Sequence, residues 1–222
     1  MTEAEWLGHA SPGLMLRLLG EAASERKLRL FACCSAELAW RSMLQRDVPA
    51  PLELAWAAAD DSSRESELSA EAPKPTGPAS AAPDLAEWFA DQALEAACRP
   101  QGARSASQAR HAVEALAVRL AADNEQDTAS ASQEARTALA SFLRDIFGNP
   151  FRPVMFPPDW RTDTTVALAH TMYDSRDFSA MPILADALQD AGCPHEDVLN
   201  HCRFGGVHVR GCWVVDLVLG RG

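Results

Sequence analysis

Residues 25–47 read ERKLRLFACCSAELAWRSMLQRD. Within them Leu28, Phe31, Cys34 or Ser35, Leu38 and Trp40 recur at intervals of three to four, which gathers them on one face of a helix. Ser24 stands just ahead, where a side-chain oxygen can accept from a free backbone N–H of the first turn. Pro49 and Pro51 follow, and proline cannot continue a helix interior. The stretch therefore predicts a long amphipathic helix, and a chain that opens on such an element needs further helices to cover it.

The same signals recur on both sides. Thr2 and Glu5 have the spacing of a capping box, and Ser11 before Pro12 reads as an N-cap with proline at the first helical position. Helical patterns follow in LELAWAAAD from Leu52, in DLAEWFADQALEAACR from Asp84, in SASQARHAVEALAVRLAAD from Ser105, and from about Thr128 to Phe147. Gly148 suits a left-handed C-cap, and Pro150 stops what precedes it. Three more helices are expected, over 164–173, 181–191 and 194–202. The last apolar segment, CWVVDLVLG, fits helix or buried strand by pattern, and helix is favoured because no partner strand is evident. The fold class expected is all-α, an irregular bundle of roughly eight to ten short helices.

Two stretches interrupt the pattern. Residues 61–82, with EAPKPTGPASAAP at their centre, carry no large apolar side chain after Leu68, so they read as a flexible linker or long Pro-rich loop. Residues 142–160, FLRDIFGNPFRPVMFPPDW, set Phe142, Phe147, Phe151, Phe156 and Trp160 among four prolines. Those aromatics are expected to clamp an extended segment onto the core.

Charge restricts the partners. The chain has 20 basic and 31 acidic side chains, and the acidic excess falls in residues 49–140, with seven basic against fifteen acidic. Phosphate neutralisation needs a basic face, and the densest basic cluster, Arg26, Lys27 and Arg29, is offset by Glu21 and Glu25, which argues against nucleic acid. No run reaches the roughly 18 apolar residues of a membrane span. MTEAEWLGHASPGLMLRLLG lacks the basic start and apolar core of a secretory signal, so a cytoplasmic location is expected, with reduced cysteines.

The last thirty residues hold three of the six cysteines and three of the six histidines. Cys193, His201, Cys202, His208 and Cys212 are the candidate metal ligands, with zinc the candidate ion. His208 and Cys212 are four apart and would share a face if helical, but no C-x2-C knuckle is present. In the competing reading the cysteines are small buried hydrophobes and the histidines sit at helix ends. A third reading makes Cys202 or Cys212 a nucleophile activated by His208, with Asp216 orienting the ring. Arg203 and Arg210 flank the FGGVH turn and are candidates for contact with an anion or a partner carboxylate, or for tying down the terminal segment. Cys33 and Cys34 are about 100° apart on a helix, so one is expected in the core and the other half exposed. His170 reads as a helix-surface residue, and Cys98 and His111 have no evident partner.

The blocks MTEAEWL, RKLRLFACC, LRDIFGNPFRPV, PILADALQDAGC, HCR and HVRGCWVVDLVLG resemble a large paralogous family of uncharacterised proteins from large-genome bacteria. The resemblance covers about half the chain, at both ends. It implies a single composite domain over 1–222, with its core from 1–48 and 141–222 and an acidic, Ala-rich helical insert at 49–140. The family pattern places three cysteines between the Phe and Trp of the first long helix. Phe31 and Trp40 keep that spacing and Cys33 matches, whereas Ser35 and Ala36 occupy the other two positions. No activity comes with the resemblance. The function expected is a soluble helical interaction or scaffold module with a protein partner; the alternative is a structural zinc protein built on the C-terminal Cys and His residues, and behind it a thiol-dependent enzyme.

Overall fold

The computed structural model describes residues 1–222 except His9, Ala10, Glu21, Ala22, Pro75, Thr76, Pro78, Ser80, Ala81, Pro83, Pro100, Gln101, Gly205 and Gly222. Among the described residues there are twelve α-helices and no strand, as expected for the all-α class, with a count slightly above eight to ten. They form two compact units, Met1–Ala140 and Ser141–Gly222. Residues 49–140 thus lie in the same unit as the N-terminal helices.

In the first unit the helices are α1 (Glu3–Gly8), α2 (Pro12–Leu19), α3 (Glu25–Glu37), α4 (Ala50–Asp60), α5 (Glu65–Glu71), α6 (Leu85–Ala97) and α7 (Gly102–Asp123), with α8 (Thr128–Phe147) running across the boundary. The Thr2–Glu5 capping box closes as expected, with Thr2 N–H donating to Glu5 Oε2 at 2.7 Å and Glu5 N–H to Thr2 Oγ1 at 3.3 Å. Ser24 caps α3 by accepting from Lys27 N–H at 3.2 Å, whereas Ser11 makes no side-chain cap bond to α2.

α3 is buried on nearly every side: all nine residues from Leu28 to Ala36 are buried. α4, α6 and α7 all pack on it, which places it in the middle of the core. Cys33 and Cys34 are both buried, so the expectation that one would be half exposed fails. Neighbours on more than one face cover α3, and a single-stripe reading allowed for only one. Beyond Glu37 the helix widens into a π-turn over Leu38–Met43, where Leu44 N–H reaches back to Ala39 O at 3.0 Å, and Gln45 at φ +53° ends it.

The arginine in the middle of that buried helix explains a second difference. Arg29 donates to Ala58 O at 3.2 Å and pairs with Glu65. A buried guanidinium needs a counter-charge, and the one it has lies on α5, inside the stretch expected as a linker. Leu68 on the same helix is fully buried. Residues 62–71 are thus part of the fold, packed on α4 and tied to α3 through Arg29 and Glu65. The Pro75 to Ala81 part of the expected linker lies largely outside the described residues.

Alanine supplies the α6–α7 contact. Ala86, Ala90, Ala93 and Ala97 on α6, and Ala106, Ala109, Val113 and Leu116 on α7, are buried at helical spacing. Asp84 caps α6 by accepting from Ala86 N–H at 2.9 Å and Glu87 N–H at 3.2 Å. Small side chains permit close helix approach, so this alanine-rich segment is packed rather than loose.

The second unit begins within α8 and continues through α9 (Asp163–Ser175), α10 (Met181–Asp190), α11 (Glu196–Phe204) and α12 (Trp213–Leu219). Its core gathers Met172, Tyr173, Leu184, Leu188, Val198 and Val215 with their neighbours, and Phe156 and Trp160 pack on that core edge to face at 5.2 Å. The expected aromatic clamp is therefore made by these two; Phe151 and Met155 stay exposed. CWVVDLVLG is helical from Trp213 and stops at Gly220, φ +69°. No helix among the described residues is long and apolar enough to cross a membrane.

Candidate metal centre

Asp145 sits in the last turn of α8 and is 3% exposed. That place is doubly unfavourable for a carboxylate: burial removes water, and the helix C-terminus carries partial negative charge. The site supplies donors instead. His208 Nδ1 lies 2.8 Å from Asp145 Oδ1, His201 Nε2 lies 3.2 Å from the same oxygen, and Val209 N–H donates to Oδ2 at 2.8 Å. Burial pushes the Asp145 carboxyl up, but the hydrogen bonds and charges of His201 and His208 outweigh it and hold the group below its ordinary value.

Cys212 completes the cluster. It is the N-cap of α12 and fully buried, with its Sγ 3.2 Å from His201 Nε2 and 3.9 Å from His208 Nδ1. Asp145 Oδ1, His201 Nε2, His208 Nδ1 and Cys212 Sγ all lie within 4.8 Å of one another. Bonds of about 2.0–2.3 Å to a tetrahedral zinc place ligand atoms about 3.3–3.8 Å apart. The separations of 2.8, 3.2 and 3.2 Å are shorter than that edge and 3.9 Å is longer, with the whole group spanning 4.8 Å, so holding an ion would require the side chains to adjust by up to about 1 Å.

Which nitrogen each ring uses bears on the nucleophile reading. In a nucleophile–base–acid arrangement the imidazole meets the nucleophile with one ring nitrogen and the acid with the other. Here one nitrogen of each ring faces both the Asp145 oxygen and the Cys212 sulfur. The four atoms thus face one another, an arrangement that a hydrogen-bonded cluster and a set of metal ligands share. Burial also pushes the Cys212 thiol well above its ordinary range; Asp145 adds to the rise, and the backbone N–H groups of Val215 and Val214 oppose it. Asp216, expected to orient a catalytic histidine, is buried in α12 and is not one of the four.

Aromatic side chains wall the group. The His201 ring stands 4.9 Å from His208 edge to face and 5.1 Å from Trp213, and Phe178 lies 6.2 Å from His208. Gly148, three residues after Asp145, ends α8 at φ +66°, and a Cβ built on it would lie 3.1 Å from the Trp213 ring. Glycine takes that left-handed backbone without strain and leaves room for the ring, which any side chain would have to push aside.

Of the five expected ligands, His201, His208 and Cys212 come together. Cys193 and Cys202 do not belong to the group and are buried in the apolar core of the second unit. His208 lies in the loop between α11 and α12, so it meets Cys212 through a turn and not along a helix face. The fourth residue, Asp145, was not among the expected ligands. Its signal was a carboxylate three positions after the buried Phe142 and next to the buried Ile146.

The two arginines both contact neighbouring helices. Arg203 donates to Asp186 Oδ1 at 3.0 Å and Gln189 Oε1 at 2.6 Å, joining α11 to α10. Arg210 lies over the Tyr173 ring at 4.7 Å, and Arg221 lies 4.2 Å from the centre of the same ring. His170 and His111 are on the surface, with His111 beside Arg110.

Cys98 and Cys202 are pushed up to about 12, chiefly by burial. At pH 7 that leaves about one thiolate in 10⁵ at each. Native protein treated with Ellman's reagent is therefore expected to show no fast-reacting thiol, and six in denaturant. A thiol consumed within seconds in the native state would restore the nucleophile reading.

Comparisons of the chain with family models, with curated proteins and with solved structures return no match.

Proposed function

We propose that this chain is a metal-binding protein that holds one divalent transition-metal ion, zinc by preference, on Asp145, His201, His208 and Cys212. The observation that carries the reading is the grouping of four donor atoms of four different side chains within 4.8 Å, with Asp145 and Cys212 buried and His201 and His208 half-buried.

Charge supports a divalent ion. An ionised Asp145, a Cys212 thiolate and two neutral imidazoles carry two negative charges, which a divalent cation cancels. Burying a neutral centre avoids the desolvation cost that a net charge would incur. One sulfur and two nitrogens favour a borderline-soft ion over calcium or magnesium, which take oxygen ligands. The Val209 N–H bond to Asp145 Oδ2 leaves Oδ1 as the ligating atom and fixes the carboxylate plane, as outer-shell partners do in metal sites. Four protein ligands fill a tetrahedron, which is the pattern of structural rather than catalytic zinc.

The test is metal content. Protein purified without added metal and passed through buffer exchange is expected to retain about one equivalent of zinc per chain, and cobalt(II) substitution to give the intense visible bands of tetrahedral coordination with a thiolate charge-transfer band. Absence of any ion, together with failure of the metal-free protein to take up zinc or cobalt(II), would refute the reading.

A further inference from the structure

A ligating histidine is ordinarily oriented by the hydrogen bond that its second ring nitrogen makes to a carboxylate, a carbonyl or water. In the cluster of four, His201 presents Nε2 to Asp145 and Cys212, and His208 presents Nδ1 to the same pair. Among the described residues no hydrogen bond reaches His201 Nδ1 or His208 Nε2. Ring contacts stand in that place. The His201 imidazole touches His208 edge to face at 4.9 Å and Trp213 at 5.1 Å, inclined to the indole by 53°.

Trp213 bears on three of the four ligands at once. It opens α12 directly after Cys212, the N-cap. Its ring stands beside His201 on α11, and its Cγ and Cδ2 lie 3.1 Å from where a Cβ on Gly148 would be, three residues beyond Asp145 at the end of α8. The side chain is half-buried and packs on the core of the second unit, which fixes where the ring sits. An indole is flat and rigid, so it can act as a stop for an imidazole where an aliphatic side chain would leave a gap. Water matters on the same side. His201 keeps 18% of its side chain exposed against 8% for His208, so the more accessible histidine is the one that Trp213 covers.

We infer that Trp213 is the positioning residue of the metal centre: its ring holds the His201 imidazole at the inclination that aims Nε2 at the ion, and it shields that ligand so that water does not join or replace it. Zinc accepts water in an open position and can expand to five ligands, so a four-ligand centre depends on what closes it. The inference rests on the metal reading above and adds to it a residue that coordinates nothing yet sets the coordination number.

Cobalt(II) loading of the full chain tests it, with ion content verified by elemental analysis and affinity read by competition with a chromophoric chelator. Trp213→Ala is expected to bind about 10–100-fold more weakly, the range for a change just outside the ligands. Once loaded, it should show visible bands at less than about half the parent's intensity, because water raises the coordination number. Trp213→Phe restores a flat ring and should stay within about threefold of the parent with the parent's spectrum. Val218→Ala controls for mere loss of stability, since Val218 is buried in α12 and is not one of the four. It should lower the urea midpoint and leave affinity and spectrum unchanged. Trp213→Leu, apolar but without a flat face, is expected to follow the alanine variant and carries the comparison where that variant does not fold. Two results overturn the positioning role with the metal site intact: the parent's affinity and spectrum in Trp213→Ala or Trp213→Leu, and an equal loss in Val218→Ala. A parent chain that takes up neither zinc nor cobalt(II) removes the metal reading itself, and the positioning role with it, so the parent's ion content tells the two failures apart.

Discussion

Zinc content is expected to fall from about one equivalent to below about a tenth when His208 and Cys212 are both replaced by alanine. Changing an outer-shell partner of a metal ligand already costs 10–100-fold in affinity, and loss of a ligand costs at least about the upper end of that range. Two lost ligands leave Asp145 and His201, a pair too weak to compete with buffer and water. Asp145→Asn alone is expected to weaken binding by at least about 100-fold, because an amide oxygen coordinates poorly and because the buried centre then keeps one uncancelled positive charge. Cys212→Ser tests the sulfur: the cobalt(II) charge-transfer band should vanish even where some ion remains. The controls are Cys193→Ala and Cys202→Ala. Both thiols lie in the apolar core outside the group of four, so these variants should lose stability and keep their metal. Retention of a full equivalent in the double variant would place the ion elsewhere.

The second large effect is expected at Phe31. This ring is fully buried in α3, the helix on which α4, α6 and α7 pack. Phe31→Ala removes most of the side chain from a region with neighbours on several sides, where collapse around the void is limited. The expected cost is about 3–5 kcal/mol, a large part of the 5–15 kcal/mol that ordinarily holds a domain together. Urea unfolding followed by circular dichroism measures it: the midpoint should drop sharply with little change in slope. Phe31→Leu, which keeps most of the volume, should cost less than half as much. A shift below about 1 kcal/mol for Phe31→Ala would mean that α3 is not the centre of its unit.

How far these features could be read in the chain follows from the range of the physics behind each. The caps at Thr2–Glu5, Ser24, Asp84 and Gly148 are local, satisfied within a few residues, and they put most helix boundaries within a turn of where they lie. Three of the four clustered donors were legible for a related reason, since His201, His208 and Cys212 fall within twelve residues of one another. Asp145 was not, because only the tertiary fold brings it to them. α5 was missed because its order comes from outside itself, through Arg29 on α3 and the burial of Leu68. Composition described the segment well and said nothing of the charge waiting for Glu65. The pairing of Cys33 with Cys34 was misjudged likewise: how many faces of α3 are covered depends on helices far along the chain.

Gly148 gives the centre a dependence that its ligands do not reveal. A single absent carbon lets α8 stop within a turn of Asp145 and leaves room for the Trp213 ring that stands beside His201. If the centre holds zinc as proposed, a genetic screen that scored variants only by lost zinc would list position 148 with the four donors, although nothing at that position can coordinate an ion. Telling the two classes apart would take rescue by excess metal: a missing donor stays missing at any concentration that spares the rest of the site, while a displaced wall yields to mass action.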